Sequence, residues 1–145
     1  MKIAIANDHN GVNIKTMLKK YLEGLGYKVL DFGSNTSESV DYPNYAFKVG
    51  KSVADKESDL GILICGTGIG MSIACNKVRG VRCAKVSNLE ESILSRKHNN
   101  ANVIALSSHL SESVLKEITK AFIETNFSNE DRHIRRNNLI DNYND

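Results

Sequence analysis

Cys65 stands immediately before Gly66-Thr67-Gly68-Ile69-Gly70, and this pairing of a thiol with a glycine-rich turn is the sharpest chemical signal in the chain. Closely spaced glycines let successive backbone N–H groups face one anion at the start of a helix. A thiol at such a helix start ionises more readily than a free one, giving a base or nucleophile near neutral pH. A dinucleotide fingerprint fails on spacing. GxGxxG needs glycine where Met71 stands, and Arg79 to Leu89 holds no acid to bind a ribose. A Walker A loop fails too, for want of a GK[ST] ending. The plain alternative is a tight strand-to-helix turn in which Cys65 is a small buried hydrophobe, the reading given to Cys75 and Cys83.

Two further polar groups flank strand-like runs. Asp8 and His9 end the first, while His98, Asn99 and Asn100 precede the last. The expectation is that two histidines, an acid and an amide converge beside Cys65. Near the C-terminus Arg132, His133, Arg135 and Arg136 lie within five positions, and Arg132 and Arg136 share a helix face at i,i+4. Guanidinium groups so placed grip a phosphate through forked hydrogen bonds. The alternative is a solvated charged face balanced by Glu130 and Asp131. A thiolate base, a nest of N–H donors, acid/base groups opposite and a phosphate clamp together suit proton abstraction beside a sugar carbonyl. There the N–H groups hold the developing enediolate oxygen. Nothing in that chemistry requires a metal or cofactor, and no ligand cluster suggests one.

The elements that must position these groups alternate as strand and helix, the pattern of βα units on a parallel sheet. Strands are predicted at Ile3 to Ala6, Tyr27 to Phe32, Asp59 to Cys65, Val81 to Val86 and Asn102 to Ser107. Asp59 to Cys65 is the most apolar and is expected at the sheet centre, buried on both faces. Between them, Ile14, Leu18, Tyr21, Leu22 and Leu25 make one helical stripe, and Ala46, Val49, Val53 and Ala54 another that starts at Pro43. A short helix to Val78, one over Glu90 to Arg96, one over Ser111 to Glu124 and a last over Glu130 to Leu139 complete the chain. The fold class is α/β: a three-layer, doubly wound, Rossmann-like open sheet of five parallel strands with a C-terminal helical tail. Ligands of such sheets bind beyond the carboxyl ends of the strands, where every unusual polar cluster is expected.

The chain has 145 residues, of which 41% are hydrophobic and 25% charged, so residues 1–145 read as a single globular domain. A net charge of +2 creates no field that would gather nucleic acid or a membrane surface. No basic-aromatic stacking pattern appears either. The longest apolar stretch, Leu60 to Cys65, is too short to cross a bilayer. The first residues lack a signal-peptide pattern, which reads as cytoplasmic. Three cysteines spaced ten and eight apart fit neither a CxxC pair nor a zinc site.

Asp8-His9, Asp41-Tyr42-Pro43, Cys65 to Gly70, Asn76-Lys77-Val78, His98-Asn99 and Arg132-His133-Ile134-Arg135-Arg136 run through nearly the whole chain. In this order the sequence resembles the B type of ribose-5-phosphate isomerase, grouped with the galactose-6-phosphate isomerase subunits. The resemblance implies metal-independent interconversion of ribose 5-phosphate and ribulose 5-phosphate through a cis-enediolate, in the non-oxidative branch of the pentose phosphate pathway. Cys65 is implied as the base that moves the proton between C1 and C2. The amides of Gly66, Thr67, Gly68, Ile69 and Gly70 are implied to stabilise the enediolate. His98, helped by Thr67, would open the furanose ring, and Asp8 would shuttle protons between sugar oxygens. Asn99 would hold the sugar; His9, Arg132 and Arg136 the phosphate; Tyr42 would line the pocket. Sites in this family are built between subunits, so the resemblance implies a homodimer, with a tetramer as the larger assembly.

Two departures stand out. The family usually continues Asp-His with Ala-Gly and an aromatic, where this chain has Asn10-Gly11-Val12. After the fifth strand the family commonly carries an arginine that binds phosphate; here Ser107-Ser108-His109 occupies the place, and His109 retains a donor. Competing readings are an isomerase of a six-carbon sugar phosphate, such as allose or galactose 6-phosphate, and a non-catalytic sugar-phosphate-binding module. The intact pair of Cys65 and His98 argues against a galactose-6-phosphate isomerase subunit, and a binding module has no use for either residue.

Overall fold

The computed structural model describes residues 1–143. It contains β1 (Lys2–Asn7), α1 (Val12–Gly24), β2 (Lys28–Asp31), α2 (Tyr42–Ala54), β3 (Leu60–Cys65), α3 (Ile69–Cys75), β4 (Cys83–Lys85), α4 (Leu89–Lys97), β5 (Val103–Ser107), α5 (Glu112–Glu124) and α6 (Asp131–Asp141). All strand pairs are parallel, in the order β2-β1-β3-β5-β4. The α/β class, the five-stranded parallel sheet and the central position of β3 agree with the sequence reading.

Alternation along each strand divides the core between the two faces. Ile3, Ile5, Ile62, Ile64, Ile104 and Leu106 pack on one side with Leu18 and Leu22 of α1 and Leu115, Ile118 and Phe122 of α5. Ala4, Ala6, Leu63, Val103 and Ala105 pack on the other with Ala46, Val49 and Val53 of α2 and Met71 and Cys75 of α3. Every residue of β3 is buried. Its last residue, Cys65, pairs with Ser107 in the final rung shared with β5.

The structure shortens several predicted elements. β4 is three residues rather than Val81 to Val86 because the N–H of Val81 turns back to the Val78 carbonyl and that of Arg82 donates to the Asn102 side chain. Neither group is left for a ladder. α3 ends at Cys75, beyond which Asn76 spends its side chain on the N–H and carbonyl of Cys83. Leu25 falls outside the buried stripe of α1, since the helix has ended and its side chain is 43% exposed.

α6 docks through polar contacts. Its inward positions are His133, Asn137 and Asp141, which meet His98, the His98 carbonyl and Arg82 respectively. Ile134, Leu139 and Ile140 remain exposed on it. Among the described residues, no helix is long and apolar enough to cross a membrane.

Candidate active site

The carboxyl edge of the sheet collects the first group of site residues. The N–H of Asp8 bonds the Ile64 carbonyl at 3.0 Å, which ties the exit of β1 to β3 just before Cys65. Asp8 is buried and caps the 3₁₀ turn His9–Gly11, accepting from the Asn10 N–H at 2.8 Å. The Asn10 side chain lies 3.4 Å from the same carboxylate and reaches over Gly66. Sequence reasoning noted Asn10 only as a departure; the structure puts it between two site residues. Nδ1 of His9 is buried and has no hydrogen-bond partner.

Cys65 is buried, and its Sγ accepts the N–H of Gly68 at 3.1 Å. That donor stabilises negative charge on sulfur. Gly68 has φ +80°, and an added Cβ would stand 3.2 Å from the Ala105 main chain, so the turn needs glycine there on both counts. Thr67 Oγ1 accepts from the Ile69 N–H at 3.2 Å. Two of the five amides expected to face the enediolate, those of Gly68 and Ile69, therefore already have acceptors inside the turn. The reason is local: Sγ and Oγ1 belong to residues three and two positions before the amides they accept from. Thr67 is here a part of the turn's own scaffold.

A second residue missed from sequence is Ser107. Its Oγ donates to the Gly66 carbonyl at 2.7 Å, and the Ser108 N–H donates to the Cys65 carbonyl at 2.9 Å. Peptide planarity then sends the Thr67 N–H the opposite way from the held carbonyl. His109 follows on this edge, its N–H on Ser107 Oγ at 3.2 Å. The pairing of Cys65 with Ser107 was the available signal, since it follows once β5 is placed beside β3. Tyr42 also belongs here: its ring lies so close over Gly70 that an added Cβ would sit 2.5 Å from Cζ.

The second group is elsewhere. α4 runs back across the sheet from β4, so His98 at its end and Asn99 beyond it lie at the amino edge, where β5 begins. The carbonyls of Asn99 and Asn100 accept from Arg82 at the head of β4, and Arg82 in turn holds Asp141 with Nη1 at 2.6 and 2.7 Å from its two carboxylate oxygens. His98 stacks on His133, centroids 4.3 Å apart and planes at 17°. Burial, helped by His98, Arg132 and Arg136 against the pull of Glu130, lowers the pKa of His133. Arg132 and Arg136 are exposed on the same helix, Arg132 with its Nε 3.1 Å from Glu130.

The two groups thus do not converge within one chain. Five residues of β5 separate the edges by roughly 15 Å, and His98, Asn99, Arg132 and Arg136 do not meet Cys65 of their own chain. Each chain carries two separate clusters of candidate site residues. Among the described residues no group of three or more His, Cys, Asp or Glu side chains could hold a metal ion.

Comparison with known proteins decides the family. The family model described as Ribose/Galactose Isomerase matches residues 3–140. The chain belongs to the ribose/galactose isomerase family. Ribose-5-phosphate isomerase B of Escherichia coli is 46% identical over 109 residues, 75% of this chain and 73% of that protein. A Bacillus subtilis relative that bears a general sugar phosphate isomerase name is 43% identical over 145 residues, 99% of this chain and 97% of the relative. Ribose-5-phosphate isomerase B from Mycoplasma genitalium, solved with bound ribulose-5-phosphate, superposes with a TM-score of 0.94 at 41% identity, covering 98% of this chain and 95% of that one. This member of the ribose/galactose isomerase family is an aldose-ketose isomerase, and the sequence resemblance named the right family.

Proposed function

We propose that the chain interconverts ribose 5-phosphate and ribulose 5-phosphate without a metal, with Cys65 as base. The observation that carries this reading is the Cys65 thiol at the mouth of the glycine turn, held 3.1 Å from the Gly68 N–H. A thiolate there takes the proton from C2 of the open-chain aldose and returns it to C1. The intervening enediolate oxygen is held by turn amides, each such donor contributing about 3 kcal/mol in comparable sites. Asp8 moves the proton between O1 and O2, and His98 donates to the ring oxygen when the furanose opens. Asn99 holds the sugar, Tyr42 lines the pocket, and His9, Arg132 and Arg136 bind the phosphate.

Because the half-sites lie on opposite edges, the working unit is a homodimer. An isologous pair brings the amino-edge group of one copy to the carboxyl-edge group of the other. The exposed apolar side chains support it: Ile73 on α3 is 61% exposed and Leu139 on α6 is 69% exposed. Such a protein works as a single domain in the cytoplasm, within the pentose phosphate pathway.

The test is isomerisation of ribose 5-phosphate with chelator present. Wild type is expected to turn over and Cys65→Ala to lose activity by at least about a hundredfold. Unchanged turnover in the variant, or none in the wild type, defeats the reading.

A further inference from the structure

We propose that His133 is a positioning residue for His98, presenting the neutral ring face on which protonated His98 lies while it donates to the ring oxygen of a cyclic sugar phosphate. The inference rests on the ring-opening role given to His98 above. It adds a residue to which the reaction scheme assigns no part.

The geometry carries it. The two rings are nearly parallel, 17° apart, with centroids at 4.3 Å. The main chain at His98 is fixed as well, since Asn137 Nδ2 donates to its carbonyl at 3.1 Å. His133 and Asn137 are adjacent turns of one helix face, so α6 grips both the ring and the backbone of the same residue. His133 is buried and its Nε2 has no hydrogen-bond partner; the nearest charge, the Glu130 carboxylate, is 3.6 Å away. A histidine kept only for hydrogen bonding would not be left so.

The surroundings decide that the His133 ring stays neutral. Facing His133 are His98 from the end of α4, Glu130 from the segment before α6, and Arg132 and Arg136 from α6 itself. Arg82, at the head of β4, is neutralised by Asp141. Two stacked imidazolium rings repel, and a neutral ring face attracts a cation. The buried ring between two arginines is the one that stays neutral, in line with its lowered pKa. His98, the half-exposed ring, is the member of the stack that a substrate can reach. In ring opening the C1–O4 bond breaks, its electron pair takes the His98 proton on O4, and O1 gives its proton to a carboxylate of the facing half-site, for which Asp8 is placed. His98 recovers a proton from solvent.

Two readouts isolate this step. Ribulose 5-phosphate cannot form a furanose, because O5 carries the phosphate, so exchange of its C1 hydrogen into D2O reports proton transfer alone. Conversion of ribose 5-phosphate requires ring opening as well. With His133→Ala and His133→Gln, kcat on ribose 5-phosphate is expected to fall about tenfold and its alkaline limb to move to lower pH, while exchange stays within about twofold. His133→Phe, which keeps a ring face, is expected to return conversion to within about threefold of wild type. Circular dichroism melts confirm that each variant folds. Equal losses in the Phe and Ala variants, rescue by Gln in place of Phe, or exchange falling in step with conversion overturns the assignment. Absence of turnover in the wild type strikes the isomerase reading instead.

Discussion

Ser107 Oγ donates to the carbonyl of Gly66 across 2.7 Å, so the last residue of β5 sets the plane of the Gly66–Thr67 peptide. The donors of the glycine turn are aimed from the neighbouring strand as much as from the turn itself.

Ser107→Ala removes that hold and leaves the carbonyl free to rotate. In the proposed mechanism the affected amide acts on charge that develops during the reaction, so kcat is expected to fall about tenfold with KM changed less than about twofold. Steady-state kinetics on ribose 5-phosphate separates the two. A rise in KM at constant kcat would place Ser107 in ground-state binding.

Half-sites on opposite edges predict complementation between dead variants. Cys65→Ala and His98→Ala are each expected to be inactive alone. Half of the dimers in an equal mixture are mixed, and each of these has one intact site, so activity should recover to about a quarter of wild type after subunit exchange. No recovery, with exchange verified by mass spectrometry, would mean that each site lies within one chain.

Arg132 and Arg136 are one turn apart on α6, and Arg136→Ala is expected to raise KM about tenfold or more for ribose 5-phosphate while leaving unphosphorylated ribose nearly unaffected. Competition by inorganic phosphate gives a second measure. An equal effect on both sugars excludes a phosphate contact.

The lowered pKa of His133 makes α6 docking sensitive to acid. Below about pH 6.5 the unfolded chain binds a proton that the folded chain resists, so stability rises with pH and is lost as pH falls from there through the folded pKa. Melting temperature measured between pH 5 and pH 7.5 should therefore climb more steeply for wild type than for His133→Phe. Identical slopes would contradict the shift.

Much of this was legible in the chain. The apolar run Leu60 to Cys65 and the alternation of Ile and Ala in β1 define a buried strand and a two-sided sheet before any coordinates exist. What was not legible depends on pairing. That β4 lies outside β5 is a matter of strand pairing, and its late start rests in part on the Asn102 side chain accepting from the Arg82 N–H, a contact between residues 20 apart. Likewise His98 precedes a strand and Cys65 ends one, and only the direction of α4 tells which edge each occupies. Ser107 and Asn10 carry no chemical motif; they matter through what they touch.

The polar footing of α6 has one more consequence. Heat capacity of unfolding comes chiefly from carbon surface newly wetted, and the inward positions of this helix within one chain are His133, Asn137 and Asp141. Lifting α6 away from its own chain would add little to that heat capacity, and added salt would loosen it by weakening the Arg82–Asp141 pair. The segment that carries the arginines is thus held chiefly by charge and hydrogen bonds, while the sheet that carries Cys65 is held by buried carbon.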